Sequence, residues 1–179
     1  MFPSDLFVRF YNEVFKALDA KGRKHLSAYW HELGKLQCKA LGELFRKGGV
    51  RAAREYWERI IREENCRAEI IDHGEWFEFI MKRCPSLSKA QDNDAAPFEL
   101  YCDHCMAWAE PVMKHAGLHA AMDMVSRQKP VCRFAVCASK VQAETFARKA
   151  KLASTPYKSR SLPPRKKTSR KIPRASVKG

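Results

Sequence analysis

Hydrophobic periodicity places this chain in the α+β class. Three helix-periodic stretches come first, then a hairpin, a helix, a second hairpin and a last helix. Two hairpins predict a four-stranded antiparallel sheet with helices packed on one side, behind an N-terminal helical segment. Punctuation by Gly22, Gly48-Gly49, His73-Gly74, Cys84-Pro85 and Gly117 separates the elements at spacings that suit these lengths.

The first helix starts near Ser4 or Asp5, either of which suits a cap, and Phe7, Phe10, Tyr11, Val14, Phe15 and Leu18 form a 3.6-period stripe up to Gly22. A second helix over about 25–47 turns Tyr29, Leu33, Leu36, Ala40 and Leu44 inward, with Gly48-Gly49 as its stop. Gly34 and Gly42 within it predict close approach to another backbone, because each costs about 1 kcal/mol of helix stability relative to Ala. The third helix, 50–65, is rich in Arg/Glu pairs at i,i+4 spacing and keeps Trp57, Ile60 and Ile61 for packing. Residues 66–72 and 75–84 alternate about His73-Gly74 as the first hairpin, with Phe77, Phe79 and Met81 on one face and Trp76, Glu78 and Ile80 on the other. A polar connection follows, with residues 91–94 as its exposed tip. The helix over 98–116 contains Pro111, which predicts a kink or a break with restart. Residues 118–126 and 131–137, joined by Arg127-Gln128-Lys129-Pro130, form the second hairpin. Residues 139–152 make the last helix.

The expected organisation is one α+β domain over 1–152, its N-terminal helices at 4–65 and its sheet with the Cys-bearing helix at 66–152, followed by a disordered basic tail at 153–179. Apolar residues make up 45% of the 179, enough for a core without disulfide staples. The net charge of +14 is unevenly placed: residues 1–140 carry 22 Lys/Arg against 19 Asp/Glu, whereas 141–179 carry 12 against one. The basic balance therefore describes the tail. Arg165-Lys166-Lys167 and Arg170-Lys171 there would neutralise phosphates without reading sequence, so only a weak nucleic-acid contact is expected. No stretch approaches the ~18 apolar residues of a membrane span, and Asp5 and Arg9 interrupt any signal-like run, so no membrane partner and a cytoplasmic location are expected.

Seven cysteines are an odd number, and in a reducing compartment they read as core residues, ligands or nucleophiles. Cys102 and Cys105 sit three apart on one helix, hence on one face. Strand alternation puts Cys132 with Phe134 and Val136, facing inward, and Cys137 with Arg133. Cys84, Cys102, Cys105 and Cys132 are thus a candidate cluster, and four soft ligands suit tetrahedral zinc. A single CxxC lacks the second knuckle of a zinc ribbon, so no cofactor is the primary expectation and zinc the alternative. Inside the CxxC lie Asp103 and His104; an imidazole beside a thiol makes a nucleophile, although each points about 100° off the thiol stripe. His104 shares its helical row with Trp108. His31-Glu32 opens like a zincin helix, but Lys35 stands where the second His belongs, and no phosphate loop, nucleophile elbow or dinucleotide fingerprint is present.

Four short pieces in order complete the reading: Glu32-Leu33-Gly34-Lys35 through Leu41-Gly42, the strand end Cys84-Pro85, the helix start Tyr101-Cys102, and the strand Cys132-Arg133-Phe134. In these the chain resembles the L-2-amino-thiazoline-4-carboxylic acid hydrolase-like family over roughly residues 25–137. That family tends to place Gly-Asp in the turn before the last Cys, where this chain has Gln128-Lys129-Pro130-Val131. The resemblance implies hydrolytic opening of a C–N or C–S bond in a small cyclic amidine or thiazoline that carries a carboxylate. Such a reaction needs a nucleophile, a proton carrier and a cation. Cys102 or Cys105 would attack, His104 or Asp103 would carry the proton, and Arg133 or Lys82 would hold the carboxylate, with Cys84, Cys132 and Trp108 also lining the substrate site. The alternatives are a non-catalytic sensor-like domain that binds a small ligand or zinc, and, for assembly, a homodimer.

Overall fold

A computed structural model describes residues 3–64, 66–92 and 96–151, with side chains from Leu6 onward. The capping side chains of Ser4 and Asp5, the tip at Asn93 and Asp94, and the basic tail lie outside what is described.

Helix α1 (Pro3–Lys21) ends at Gly22, whose φ of 126° reverses the chain into α2 (Arg23–Gln37). A single π turn (Cys38–Gly42) links α2 to α3 (Glu43–Glu63), and Gly49, at φ 62°, breaks α3 where a stop was expected. Strands β1 (Arg67–Asp72) and β2 (Trp76–Arg83) form the first hairpin about Gly74. Next come α4 (Pro85–Gln91), α5 (Asp103–His115), the second hairpin of β3 (His119–Asp123) and β4 (Cys132–Cys137), and α6 (Lys140–Lys149). The sheet order is β1-β2-β4-β3, antiparallel throughout, so the two hairpins join through β2 and β4. The fold is the α+β class with one four-stranded antiparallel sheet and N-terminal helices. No helix among the described residues is long and apolar enough to cross a membrane.

The period of two assigns the sheet faces. Phe77 and Phe79 of β2 lie across from Val136 and Phe134 of β4, and Met122 of β3 lies across from Phe134. These residues pack with Phe45 and Ala53 of α3 and Met106, Ala109, Val112 and Met113 of α5 in the larger core. Ala121, Ala135 and Cys137 point the other way, where Ala143 and Phe146 of α6 meet them. The last helix thus adds cover on the second face, and Ser139 with Gln142 forms the capping box that starts it. A third cluster, built from Val8, Phe15, Leu26, Trp30, Leu87, Phe98 and Tyr101, joins α1, α2, α4 and the turn before α5.

Two helices bury faces other than those the apolar stripes predict. In α1 the inward row is Val8, Asn12 and Phe15, leaving Phe7, Phe10 and Tyr11 exposed. Asn12 decides the rotation: its Nδ2 donates to the Ala96 carbonyl at 2.9 Å and its Oδ1 accepts from Phe98 N at 2.7 Å. A buried amide with both ends satisfied holds the 96–98 segment to the helix. In α2 the inward row is Leu26, Trp30 and Gly34, continuing to Leu41 and Phe45, while Leu36 and Leu44 face solvent. The π turn inserts one residue and shifts the phase between the two halves. Gly34 meets another backbone as expected, whereas Gly42 is close to side chains. A methyl group on Gly34 would lie 3.2 Å from the Trp108 backbone and 2.8 Å from Pro111 Cγ, and one on Gly42 would lie 2.9 Å from His115 Cδ2. Pro111 neither breaks α5 nor restarts it; the helix is continuous to His115.

Candidate functional site

The four candidate sulfurs arrive from different elements for separable reasons. Cys84 ends β2 and caps α4: Pro85 takes the first helical position, and the Leu87 N–H reaches Cys84 Sγ at 3.4 Å. Cys84 N donates to the Pro130 carbonyl at 2.6 Å, drawing the strand end to the loop before Cys132. Cys132 opens β4 across from Met81. Cys102 stands at the N-cap of α5, with Cys105 one turn inside. Just before them, the Tyr101 hydroxyl meets Ser86 Oγ at 2.7 Å, tying the start of α5 to α4. The group occupies the seam between two cores: Cys84 packs on the helical cluster, Cys105 and Cys132 on the sheet cluster, and Cys102 on both.

Burial and mutual proximity set the protonation of these thiols. A charge on Cys105 would raise the thiols of Cys84, Cys102 and Cys132, and one on Cys84 would raise Cys102 and Cys132. Burial is the larger cause in each. It pushes Cys84 up to about 11 and Cys102 and Cys105 up to about 12, and raises Cys132 as well. All four therefore rest as neutral thiols at pH 7, and all seven cysteines are free. Among the described residues no three His, Cys, Asp or Glu side chains are grouped to hold a metal ion. Zinc at these sulfurs would require them to draw closer together.

His104 is the residue whose chemistry the fold determines most fully. Its Nδ1 bonds to the Tyr101 carbonyl, and because a carbonyl only accepts, Nδ1 carries the proton. Its ring is packed between Phe15, at 5.3 Å between centroids, and Tyr101, at 4.9 Å. The ring keeps some exposed surface, yet this dense surround lowers its pKa and keeps it neutral. Nε2 is thus a lone-pair acceptor, and it lies 3.7 Å from Cys105 Sγ. A thiol, a neutral imidazole in reach of it and a carbonyl fixing the tautomer make a nucleophile–base pair. The sequence expectation that His104 points away from the thiols is corrected here: the ring folds back across the first turn of α5 because Tyr101 O anchors it.

Asp103 takes a different role from proton carrier. Both of its oxygens accept from Arg127, Oδ2 from Nε and Oδ1 from Nη2, each at 3.0 Å. Arg127 was missed in the sequence because it lies in a hairpin turn 24 residues away, where a basic residue carries no signal of its own. Its charge also lowers the Cys102 thiol, against the larger effect of burial. Arg133, expected beside the thiols, lies on the opposite face of β4 from Cys132, pairs with Glu78 and has its guanidinium 5.2 Å from the Phe146 ring. Strand alternation forbids it from sharing a face with Cys132, so the thiol-side cation is Arg127. Lys82 pairs with Glu69 at 2.5 Å. Trp108 packs against the sheet core and faces Trp57 across 6.4 Å, one turn beyond Cys105. No family model, no curated protein and no solved structure matches this chain.

Proposed function

We propose that the chain is a small-molecule hydrolase that opens a C–N or C–S bond of a cyclic amidine or thiazoline, with Cys105 as nucleophile and His104 as its base. The observation that carries this reading is the Cys105 Sγ–His104 Nε2 approach at 3.7 Å with Nδ1 committed to Tyr101 O. In the proposed step the Cys105 proton moves to Nε2 as sulfur attacks the amidine carbon. The imidazolium then protonates the departing ring heteroatom. Water, deprotonated by the same Nε2, releases the opened product and restores the thiol. Arg127, beside Cys102 and partly exposed, is the cation offered to a substrate carboxylate, with Asp103 as the resident anion that holds it in place. Cys102, Cys132 and Cys84 line the seam with Trp108 at its edge, and the order of Cys84-Pro85, Tyr101-Cys102 and Cys132-Arg133-Phe134 supports the same chemistry by resemblance.

Turnover of 2-amino-thiazoline-4-carboxylate by Cys84, Cys102, Cys105 and Cys132 single Ser variants tests the assignment. Loss of at least about a hundredfold is expected for Cys105→Ser and for His104→Gln, the scale of a missing proton carrier. Undiminished turnover by Cys105→Ser would sink it. The alternative reading is a sensor-like domain holding a small ligand or zinc at the same sulfurs, supported by Cys102, Cys105 and Cys132 packing against one core. About one zinc per purified chain, with no turnover, would select it.

A further inference from the structure

We propose that the groove between α2 and α5 is a second chemical site, in which the Cys38 thiol, with His115 as base and Glu43 fixing that base, takes an acyl group from a small ester or thioester. The groove is a 570 Å³ cavity whose lining includes Cys38, His31, His115, Lys114 and Pro111. Cys38 opens the π turn, a rare distortion that concentrates at functional positions. The two side chains flank a single point: a methyl group on Gly42 would lie 2.9 Å from His115 Cδ2, 3.3 Å from its Cγ and 3.5 Å from Cys38 Cβ. Glycine at 42 leaves room for the imidazole against the π turn that carries Cys38.

His115 Nε2 lies 2.6 Å from Glu43 Oε1, and Glu43 also accepts from Arg46 Nε and Nη2 at 3.0 and 2.8 Å. The Arg46 hydrogen bonds, and after them the one from His115, hold the Glu43 carboxyl at about 2, so it is an anion at neutral pH and accepts a hydrogen bond from Nε2. In the neutral imidazole Nδ1 is the nitrogen left to accept a proton. A thiol, an imidazole and an orienting carboxylate drawn from the π turn, α5 and the start of α3 reproduce the nucleophile–base–orienter logic of covalent hydrolases. At rest Cys38 Sγ donates to the Gly34 carbonyl at 3.4 Å, and burial raises its pKa, so it stays a thiol until a χ1 rotation brings it to the base. In the step proposed, the thiol proton passes to His115 Nδ1 and sulfur bonds to the acyl carbon. The donor C–O or C–S bond breaks, and its alcohol or thiol leaves with the proton from the imidazolium. Water then cleaves the thioester, giving a carboxylic acid and free Cys38. Lys114 and Glu110 both line the groove, and Lys114 is the cation offered to the developing oxyanion.

This site shares no residue with the Cys105 reading and stands or falls separately. The probe is p-nitrophenyl acetate with the full chain near pH 7.5. A burst of about one nitrophenolate per chain is expected, with the acetyl group mapped by peptide mass spectrometry to Cys38. The burst should be lost in Cys38→Ser, kept in Cys105→Ser, and slowed at least about tenfold in His115→Gln and Glu43→Gln. No acetylation at Cys38 in the wild-type chain, or acetylation at Cys38 with a rate indifferent to His115→Gln, would overturn the proposal.

Discussion

The resting proton inventory of the Cys105–His104 pair is open to a direct measurement. An alkylating reagent reacts with the thiolate, so its rate follows the thiolate fraction. Burial and the Asp103 charge push Cys105 from an ordinary 9.0 up to about 12. At pH 7 the thiolate fraction then falls from roughly 10⁻² to roughly 10⁻⁵, about a thousandfold, before any hindrance to access is counted. Iodoacetamide labelling of Cys105, followed by peptide mass spectrometry between pH 6 and 10, should be slower than that of free cysteine by about that factor. The rate should rise about tenfold per pH unit with no plateau. Asp103→Asn removes a charge that raises this thiol, so its labelling should accelerate. A rate at pH 7 equal to or above that of free cysteine, flat between pH 6 and 8, would mean a thiolate–imidazolium pair. That result would refute the neutral-pair argument, since His104 would then be charged despite its burial.

Gly34→Ala sets a steric clash against helix propensity. The gain is about 1 kcal/mol, but the new methyl meets the Trp108 backbone at 3.2 Å and Pro111 Cγ at 2.8 Å, and overpacking of this kind costs about 1–3 kcal/mol. A net loss is expected, seen as a lower thermal midpoint; a rise would show that α2 and α5 part easily. Asn12→Ala orphans Phe98 N and the Ala96 carbonyl, so chemical denaturation should report a loss of about 2–4 kcal/mol, and an unchanged midpoint would remove the clasp assigned to it. Cys84, Cys102 and Cys105 have folded pKa values of about 11 to 12 against 9.0, so above pH 9 the unfolded chain loses protons that the native chain keeps. Stability is fully present below pH 9 and falls as pH rises toward 11–12. The limiting slope is about 1.4 kcal/mol per pH unit for each thiol, less what partial solvent screening removes. Urea midpoints at pH 8 and 10.5 should therefore differ less in a Cys84/Cys102/Cys105→Ser variant than in the native chain, and equal differences would contradict the pKa assignment.

The parts of the fold legible in the sequence are those governed by local periodicity. His73-Gly74 marked the first turn because Gly74 adopts φ 81°, and the alternation of Phe77, Phe79, Phe134 and Val136 marked the inward face of both central strands. The phase of the helices was less legible. In α1 the apolar row Phe7, Phe10 and Tyr11 looks like a core stripe, but satisfying one buried amide at Asn12 outweighs it, and nothing local shows that its partners are Ala96 and Phe98. In α2 the inward row of Leu26, Trp30 and Gly34 leaves Leu36 outside, and the π turn after it shifts the phase so that Phe45 rather than Leu44 is buried in α3. At the site, the row of Cys102 and Cys105 and the inward face of Cys132 follow from spacing alone. The Tyr101 carbonyl that turns His104 inward and the Arg127 that claims Asp103 are backbone and long-range partners, and neither leaves a mark in residue order.

The position of the thiols at a seam between two cores explains their inertness and bears on the use proposed for them. A thiol inside either cluster would be buried and unreachable, and one on the surface would ionise near 9 and oxidise. At the boundary Cys102 touches both clusters, and Cys105 is half-buried and remains a thiol. The same low-polarity surround lowers His104, so neither partner is charged before a substrate arrives. Charge separation between them is then favourable only when an added group stabilises the ion pair, and in the proposed hydrolysis the polarised ring carbon and carboxylate of the substrate would be those groups. Arg127 makes this conditional in a testable way. Arg127→Met removes the cation offered to the carboxylate and leaves Asp103 as an unpaired anion, which raises Cys102 and Cys105 further. Turnover of a carboxylated thiazoline should therefore fall by a larger factor than turnover of the same ring without its carboxylate. Equal losses on both substrates would place Arg127 outside substrate binding and reduce it to a clamp on the α5 N-terminus.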